Sequence, residues 1–250
     1  MTYCLGILLR QGLVLASDGR SNAGVDQVTK VLKLNLVTMP GERVICIQSA
    51  GNLATTQSVV SELLEASGHA DPAEDLRQCK SMFEAAHIIG ERLRRVSDGD
   101  ARYVEPYGDP TASFLVSGQI KGESPRLFQV YSAGNFIEAS HRAPFLQIGE
   151  TKYGKPILDR ALTPDTSLDE AAKLALLSFD ATIRSNLSVG LPIDLLRYEA
   201  DSFAADNLIT IEEHNLYWRE LRETYAGGLA ALVASLEPPP PSGGAAPAKP

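Results

Sequence analysis

The first eighteen residues, MTYCLGILLRQGLVLASD, place the strongest constraint on how this chain can fold. Apolar residues run from Tyr3 to Leu9 and again over 13–16, with a short Gly-containing turn between them, which predicts a β-hairpin. Because the strand pattern begins at the third residue, we expect the amino terminus to be fixed inside the fold. The rest of the chain must therefore pack around this hairpin.

The second residue is a threonine, and a small side chain in this position predicts removal of Met1. Thr2 would then carry a free α-amino group beside its hydroxyl, so a single residue would hold a nucleophile and a candidate base. A Thr after Met usually reflects processing alone. Nucleophilic chemistry at Thr2 is therefore a hypothesis that the rest of the chain has to support.

Composition and charge argue against several classes of function. The 250 residues carry a formal net charge of −8, which argues against nucleic acid or an anionic membrane as the main partner. No apolar run approaches the roughly 18 residues of a membrane helix, and we expect no signal peptide. The three cysteines form no CxxC pair, and Cys4 and Cys46 lie in strand patterns, which predicts reduced core thiols in a cytoplasmic protein.

The remaining periodicity predicts groups of strands that alternate with pairs of helices. A strand over 30–36 places Lys30 on the face of three leucines, so we expect Lys30 to enter the interior and Lys33 to face solvent. A later strand ends in Ser-Ala-Gly-Asn, with Gly51 at a strand-to-helix turn. Two antiparallel sheets covered by helix pairs accommodate this order, but periodicity does not select them over other α+β arrangements.

The chain length fits one large domain or two small ones, and we predict a single domain over residues 1–236. Residues 237–250, EPPPPSGGAAPAKP, contain mainly Pro, Gly and Ala and offer no side chains for a core. This composition predicts a disordered tail.

Four features in this order resemble the proteasome β-subunit family: Thr2 before a strand, Asp18 in A-S-D-G-R, Lys30 before alternating apolar residues, and the strand ending in S-A-G-N. The Met-Thr-Tyr-Cys start, the acidic composition and the long C-terminal helix are more similar to the bacterial branch called Anbu (ancestral β-subunit). The resemblance covers about residues 2–210. It implies an N-terminal nucleophile (Ntn) hydrolase of α+β class, a four-layer αββα sandwich of two antiparallel sheets flanked by helices.

The resemblance also implies a threonine-type peptidase with Thr2, Asp18, Lys30, Gly51 and Ser188 in catalytic positions. Thr2 would attack a peptide carbonyl through its hydroxyl, and Lys30, buried and paired with Asp18, would favour the deprotonated nucleophile. The Gly51 N–H would donate to the oxyanion, and Ser188 would hydrogen-bond the Thr2 amine. The resemblance implies no metal ion and no organic cofactor.

Specificity and partners follow from the same resemblance. Positions that line the primary pocket of the family hold uncharged residues here, which favours cleavage after hydrophobic side chains: Ser21, Val28, Leu32, Ser49 and Leu53. We expect peptides or unfolded proteins as substrates, a homo-oligomer in the form of a ring or helix, and no nucleic-acid or membrane partner.

Two positions depart from the family pattern. The family commonly has a serine after the glycine that ends the later strand, whereas Gly149 is followed here by Glu150. It also commonly has an aspartate three residues before Ser188, where this chain has Ser185. These departures leave open a weakly active or inactive self-assembling scaffold subunit. A second alternative, an Ntn amidase acting on a small-molecule amide, is compatible with the pocket loop over 22–28, which is shorter than the loop usual in the family.

Overall fold

The computed structural model describes residues 2–23, 27–65, 74–106 and 108–240. The chain divides into two compact units, Met1–Glu213 and His214–Pro250. The predicted domain end at residue 236 remains a prediction. Residues 241–250 of the predicted tail lie outside the described residues.

The first unit contains all the described strands and four helices. The strands are β1 (Tyr3–Leu9), β2 (Gly12–Asp18), β3 (Arg20–Ala23), β4 (Gln27–Lys30), β5 (Leu34–Met39), β6 (Arg43–Gly51), β7 (Ala112–Ile120), β8 (Arg126–Val130), β9 (Phe136–Glu138), β10 (Phe145–Gly149), β11 (Ile193–Glu199) and β12 (Leu208–Ile211). The helices are α1 (Leu53–Glu65), α2 (Met82–Val104), α3 (Lys155–Ala161) and α4 (Leu168–Ser185).

The strands form two five-stranded antiparallel sheets and one small hairpin. The first sheet has the order β10-β1-β2-β11-β12, the second has the order β5-β6-β7-β8-β9, and β3 pairs with β4 alone. The predicted amino-terminal hairpin is confirmed, with Cys4 opposite Ser17. Because β1 and β2 each have a partner strand on both sides, the segment after Thr2 is fixed inside the first sheet.

Side-chain alternation buries both faces of the sheets. In β6, Val44 and Cys46 pack between the two sheets, whereas Ile45 and Ile47 pack beneath α1 and α2. Helix α4 packs against β1 and β2 on the outer face of the first sheet. The predicted αββα layer order is therefore confirmed.

The predicted strand over 30–36 is wrong, because the chain leaves the strand pattern after Lys30. Strand β4 ends there, residues 31–33 belong to no strand, and β5 begins at Leu34. The interruption resets the alternation of side chains. Lys33 is consequently buried, whereas Leu32 is 62% exposed.

Two helix starts follow local capping chemistry. Ser167 and Glu170 form a capping box, which fixes the start of α4. The second unit contains α5 (Leu216–Ser235), where the Asn215 side chain accepts the N–H of Trp218 at 3.0 Å. None of the helices in the described ranges is long and apolar enough to cross a membrane.

Candidate active site

Thr2 lies directly before β1, and the end of β10 fixes its backbone. The Thr2 carbonyl accepts the N–H of Glu150 at 2.7 Å. Gly149 has a φ of +80°, and a Cβ on this residue would lie 2.0 Å from the Thr2 carbonyl oxygen. Only glycine fits a position with both constraints. The end of β10 therefore places Thr2 through two consecutive backbone contacts.

Asp18, the last residue of β2, is fully buried and accepts three hydrogen bonds. One carboxylate oxygen accepts the Tyr3 N–H at 3.0 Å and the Lys33 ammonium at 2.6 Å, and the other accepts the Gly190 N–H at 3.4 Å. Burial raises the pKa of Asp18, and the positive charge of Lys33 opposes that rise. Asp18 thereby connects the residue after Thr2 with a buried lysine and with the loop after α4.

Lys33, and not Lys30, is the buried partner of Asp18. The Lys33 side chain is 5% exposed, and its ammonium also donates to the Arg20 carbonyl. Lys30 has a 70% exposed side chain and pairs with Glu212 at 3.0 Å. The predicted pairing of Lys30 with Asp18 is wrong, because the strand alternation on which it depended stops at Lys30.

A cleft of about 410 Å³ opens beside Thr2. Its walls bring Thr2, Lys33 and Gly51 together with four of the five predicted pocket residues, Ser21, Leu32, Ser49 and Leu53. The side chain of Val28, the fifth, lies outside the described residues. The part of the wall that the structure describes contains apolar and uncharged polar side chains and two lysines, but no carboxylate.

Gly51 ends β6 at the edge of this cleft. Its φ is +116°, and a Cβ here would lie 2.3 Å from the carbonyl oxygen of Thr111. A residue with a side chain would have to displace the neighbouring strand. The cleft wall at Gly51 is therefore formed by backbone.

Ser188 lies in the loop that follows α4, and Asn186 fixes the loop backbone. The Ser188 N–H donates to Asn186 Oδ1 at 2.9 Å, and Asn186 Nδ2 donates to Glu150 Oε2 at 3.0 Å. In the described part of the chain, no hydrogen bond joins the Ser188 hydroxyl to Thr2. Ser185, at the end of α4, is exposed. The structure therefore brings this loop to the site through Glu150, Asn186 and Gly190.

Two further protonated groups lie behind the site. Burial raises the pKa of the Tyr3 hydroxyl to about 12, and this hydroxyl bonds Ser178 and Gln147, each at 2.6 Å. Burial also raises the pKa of the Cys4 thiol, which donates to the Ser49 carbonyl at 3.5 Å. Both groups stay neutral near pH 7, so neither provides a competing nucleophile.

Sequence reasoning missed Lys33, Glu150 and Asn186 as members of the site. No Gly or Pro marks the interruption before Lys33, so the local pattern contained no signal for it. Glu150 stands out in the sequence only as a departure from the family pattern, and Asn186 depends on a partner 36 residues away.

Within the described ranges, no group of three or more His, Cys, Asp or Glu side chains could hold a metal ion.

Comparisons with known proteins agree with this geometry. A family model described as "Proteasome subunit" matches residues 97–195. Proteasome subunit beta 2 of Pyrobaculum calidifontis is 29% identical over 192 residues, which cover 77% of this chain and 86% of that protein.

Solved structures extend the similarity over almost the whole chain. Anbu from Yersinia bercovieri is 45% identical, with 96% of this chain and 99% of that chain covered and a TM-score of 0.90. The structure described as a helical assembly of the Anbu complex from Pseudomonas aeruginosa is also 45% identical, with 96% and 98% covered and a TM-score of 0.91.

Proposed function

Since the chain belongs to the proteasome β-subunit family, in its bacterial Anbu branch, we propose that it is a threonine-type peptidase with Thr2 as nucleophile after removal of Met1. The observation that carries the proposal is the buried Lys33–Asp18 pair, whose lysine lines the same cleft as Thr2. Desolvation offsets much of the attraction in a buried ion pair, so stability alone is a weak reason for this pair. A positive charge beside the nucleophile gives a functional reason for the pair.

The catalytic cycle would use groups of this chain alone. The Thr2 hydroxyl oxygen attacks the carbonyl carbon of the scissile bond, and its proton passes to the α-amino group. A free α-amine has a pKa of roughly 7.7–8.0, which suits a general base near neutral pH. The Lys33 ammonium favours the deprotonated hydroxyl, and Asp18 holds Lys33 in place. The Gly51 N–H donates to the oxyanion of the tetrahedral intermediate.

Collapse of that intermediate breaks the carbon–nitrogen bond. The α-ammonium returns its proton to the leaving amine, and an ester joins the acyl group to Thr2. Water then attacks this ester, with the α-amine again accepting a proton, and the acid product leaves with Thr2 restored. Two steps with low barriers thereby replace one direct attack of water on the amide.

The proposed substrates are peptides or unfolded proteins with an uncharged residue in the cleft. Apolar side chains such as Leu32 and Leu53 line it, and no described lining residue is acidic, so a cationic side chain would find no partner there. We also propose a cytoplasmic homo-oligomer, a ring or a helix, because the similar Pseudomonas aeruginosa protein is described as a helical assembly.

A weakly active or inactive scaffold subunit is the second candidate. The Ser188 hydroxyl makes no hydrogen bond to Thr2 among the described residues, and Glu150 and Ser185 stand where the family commonly has Ser and Asp. An idle subunit would keep the fold and the assembly without reaction at Thr2. Reactivity at Thr2 therefore separates the two candidates.

Intact mass spectrometry with a β-lactone, an electrophile that acylates an N-terminal threonine, tests the proposal. We expect the purified chain to lack Met1 and to gain one adduct, and we expect Thr2→Ala to abolish the adduct. A chain that retains Met1, or an adduct that persists in Thr2→Ala, would contradict the proposal. A panel of peptides and small acyl amides then distinguishes a peptidase from an amidase.

A further inference from the structure

We propose that Glu150 is a positioning residue that holds the loop 186–190 at Thr2 through Asn186. The inference rests on the proposed function, because positioning matters to the reaction only if Thr2 is the nucleophile. It assigns a role to a residue that departs from the family pattern.

Glu150 contacts both Thr2 and the loop. Its side chain is buried, and both carboxylate oxygens have donors: Oε1 accepts the Lys152 N–H at 3.0 Å, and Oε2 accepts Asn186 Nδ2 at 3.0 Å. Its own N–H donates to the Thr2 carbonyl at 2.7 Å. A buried carboxylate is tolerated only with such partners, and hydrogen bonds to a charged acceptor are stronger than neutral ones. Glu150 therefore forms a short, rigid connection between Thr2 and Asn186.

Asn186 transmits that connection to the loop. As the C-cap of α4 it donates its N–H to the Thr182 carbonyl, and its Oδ1 accepts the Ser188 N–H at 2.9 Å. Asn186 therefore contacts the helix end through its backbone N–H, and its side chain contacts both Glu150 and the loop backbone. Its position decides where Ser188 lies.

The far end of the loop reaches the catalytic carboxylate. The Gly190 N–H donates to Asp18 Oδ2 at 3.4 Å, and the Leu187 carbonyl accepts from the Arg20 guanidinium at 2.9 Å. The Arg20 carbonyl also accepts a hydrogen bond from the Lys33 ammonium. A loop that moved away from Glu150 would disturb Asp18 and the pair it forms with Lys33.

The two departures from the family pattern then have one explanation. Ser185 lacks the carboxylate that the family commonly carries at the end of this helix, and Glu150 supplies a carboxylate to the adjacent Asn186 from the end of β10. The carboxylate comes from the end of β10 and not from α4, but it contacts the same loop, 186–190. The chain therefore keeps a carboxylate-held loop without the usual aspartate.

An exchange of the two side-chain types tests this inference. In Glu150→Gln one of two N–H donors must face an amide NH₂, and in Asn186→Asp two carboxylates face each other. The double variant Glu150→Gln with Asn186→Asp restores an amide–carboxylate pair with the original net charge. The carboxylate that the double variant carries at position 186 can still accept the Ser188 N–H. Glu213→Gln, at an exposed residue in the same unit, is the matched control.

Two measurements are made on each full-length variant. Hydrogen exchange reports protection of the Ser188 and Gly190 amides, and peptide hydrolysis with β-lactone labelling reports kcat, KM and the rate of acylation of Thr2. We expect each single variant to lose amide protection and to lower kcat and the acylation rate roughly tenfold or more, with KM within about twofold. In the double variant, the amide protection, kcat and the acylation rate should each return to within roughly threefold of the wild-type value.

Three results would overturn the inference. Unchanged loop protection in both single variants, or no recovery in the double variant, overturns it. Lost protection with unchanged acylation also overturns it, because Glu150 would then support only the structure. If the wild type forms no Thr2 adduct, the proposed function fails, and hydrogen exchange alone decides the inference: protection lost in the single variants and recovered in the double variant supports it.

Discussion

At the residue scale, the surroundings of each charged group determine its role. Lys33 and Lys30 border the same cleft, but only the Lys33 ammonium has both Asp18 and a backbone carbonyl as acceptors. Lys30 forms an ion pair with Glu212 at the surface, where solvent screens the two charges. The two lysines should therefore differ strongly in their importance for the reaction.

Lys33→Ala should lower the rate of Thr2 acylation by roughly 10²–10³, because it removes the charge that stabilises the deprotonated hydroxyl. Lys30→Ala should change the same rate less than about tenfold, since this side chain is solvated. The second-order rate of β-lactone labelling checks both variants. A larger loss in Lys30→Ala than in Lys33→Ala would contradict the assignment.

The Tyr3 hydroxyl provides a pH-dependent prediction. Its pKa is raised by burial to about 12 in the folded protein, against about 10 in an unfolded chain. Because the pKa of Tyr3 is higher in the folded state, the protonated hydroxyl stabilises the fold. This contribution to the free energy of unfolding is fully present below pH ~10 and is lost as the pH rises towards ~12. Alkaline conditions should therefore weaken the wild type more than a variant without the hydroxyl.

Urea unfolding of the wild type and Tyr3→Phe at about pH 9 and about pH 11 tests this expectation. The wild-type free energy of unfolding, minus that of Tyr3→Phe, should decrease between the two pH values. Other alkaline groups titrate in both proteins and cancel in the difference. A constant difference would show that Tyr3 ionises equally in the folded and unfolded states.

At the scale of elements, the site is built where strands end. Thr2 precedes β1, Asp18 ends β2 and Gly51 ends β6, while the end of β10 contacts Thr2 from the side. Strand ends are geometrically well defined because neighbouring strands fix their register. The close approach of β10 to Thr2 depends on the absence of a side chain at Gly149.

Gly149→Ala should lower the rate of Thr2 acylation at least tenfold, because its Cβ would collide with the Thr2 carbonyl. Gly122→Ala is the matched control, since Gly122 also has a positive φ of +97°, but a Cβ on it would have no neighbour within 4 Å. Both variants carry the backbone strain, and only one displaces Thr2. Equal acylation rates in the two variants would contradict the expected role of Gly149.

At the scale of the whole molecule, burial of both sheets protects all three cysteines. Cys4 and Cys46 pack between the sheets, and Cys79, in the segment before α2, is buried in the core on the other face of the second sheet. Burial raises the pKa of each thiol, and that of Cys79 reaches about 11. Thiolate formation in the native state is therefore suppressed together with access to reagents.

Native protein should react with a thiol reagent more slowly than unfolded protein by a factor on the order of 10² or more, because labelling requires opening of the fold. Spectrophotometric titration should then count all three thiols in denaturant. Rapid labelling of one thiol in the native protein would show that its layer opens locally.

The sequence by itself determined the features that depend on local order and residue chemistry. The hairpin formed by Tyr3–Leu9 and Gly12–Asp18, with Asp18 at the end of its second strand, follows from alternation and turn residues. The layer order followed from the resemblance that these elements support. The hairpin itself required only neighbours along the chain.

Only the tertiary structure decided which lysine pairs with Asp18 and how the loop after α4 is held. The interruption before Lys33 has no turn signature, and it arises because β3 and β4 pair separately from the second sheet. The contact between Glu150 and Asn186 requires β10 beside β1 and the end of α4 beside both. Contacts between distant segments depend on register and packing, which local periodicity does not encode.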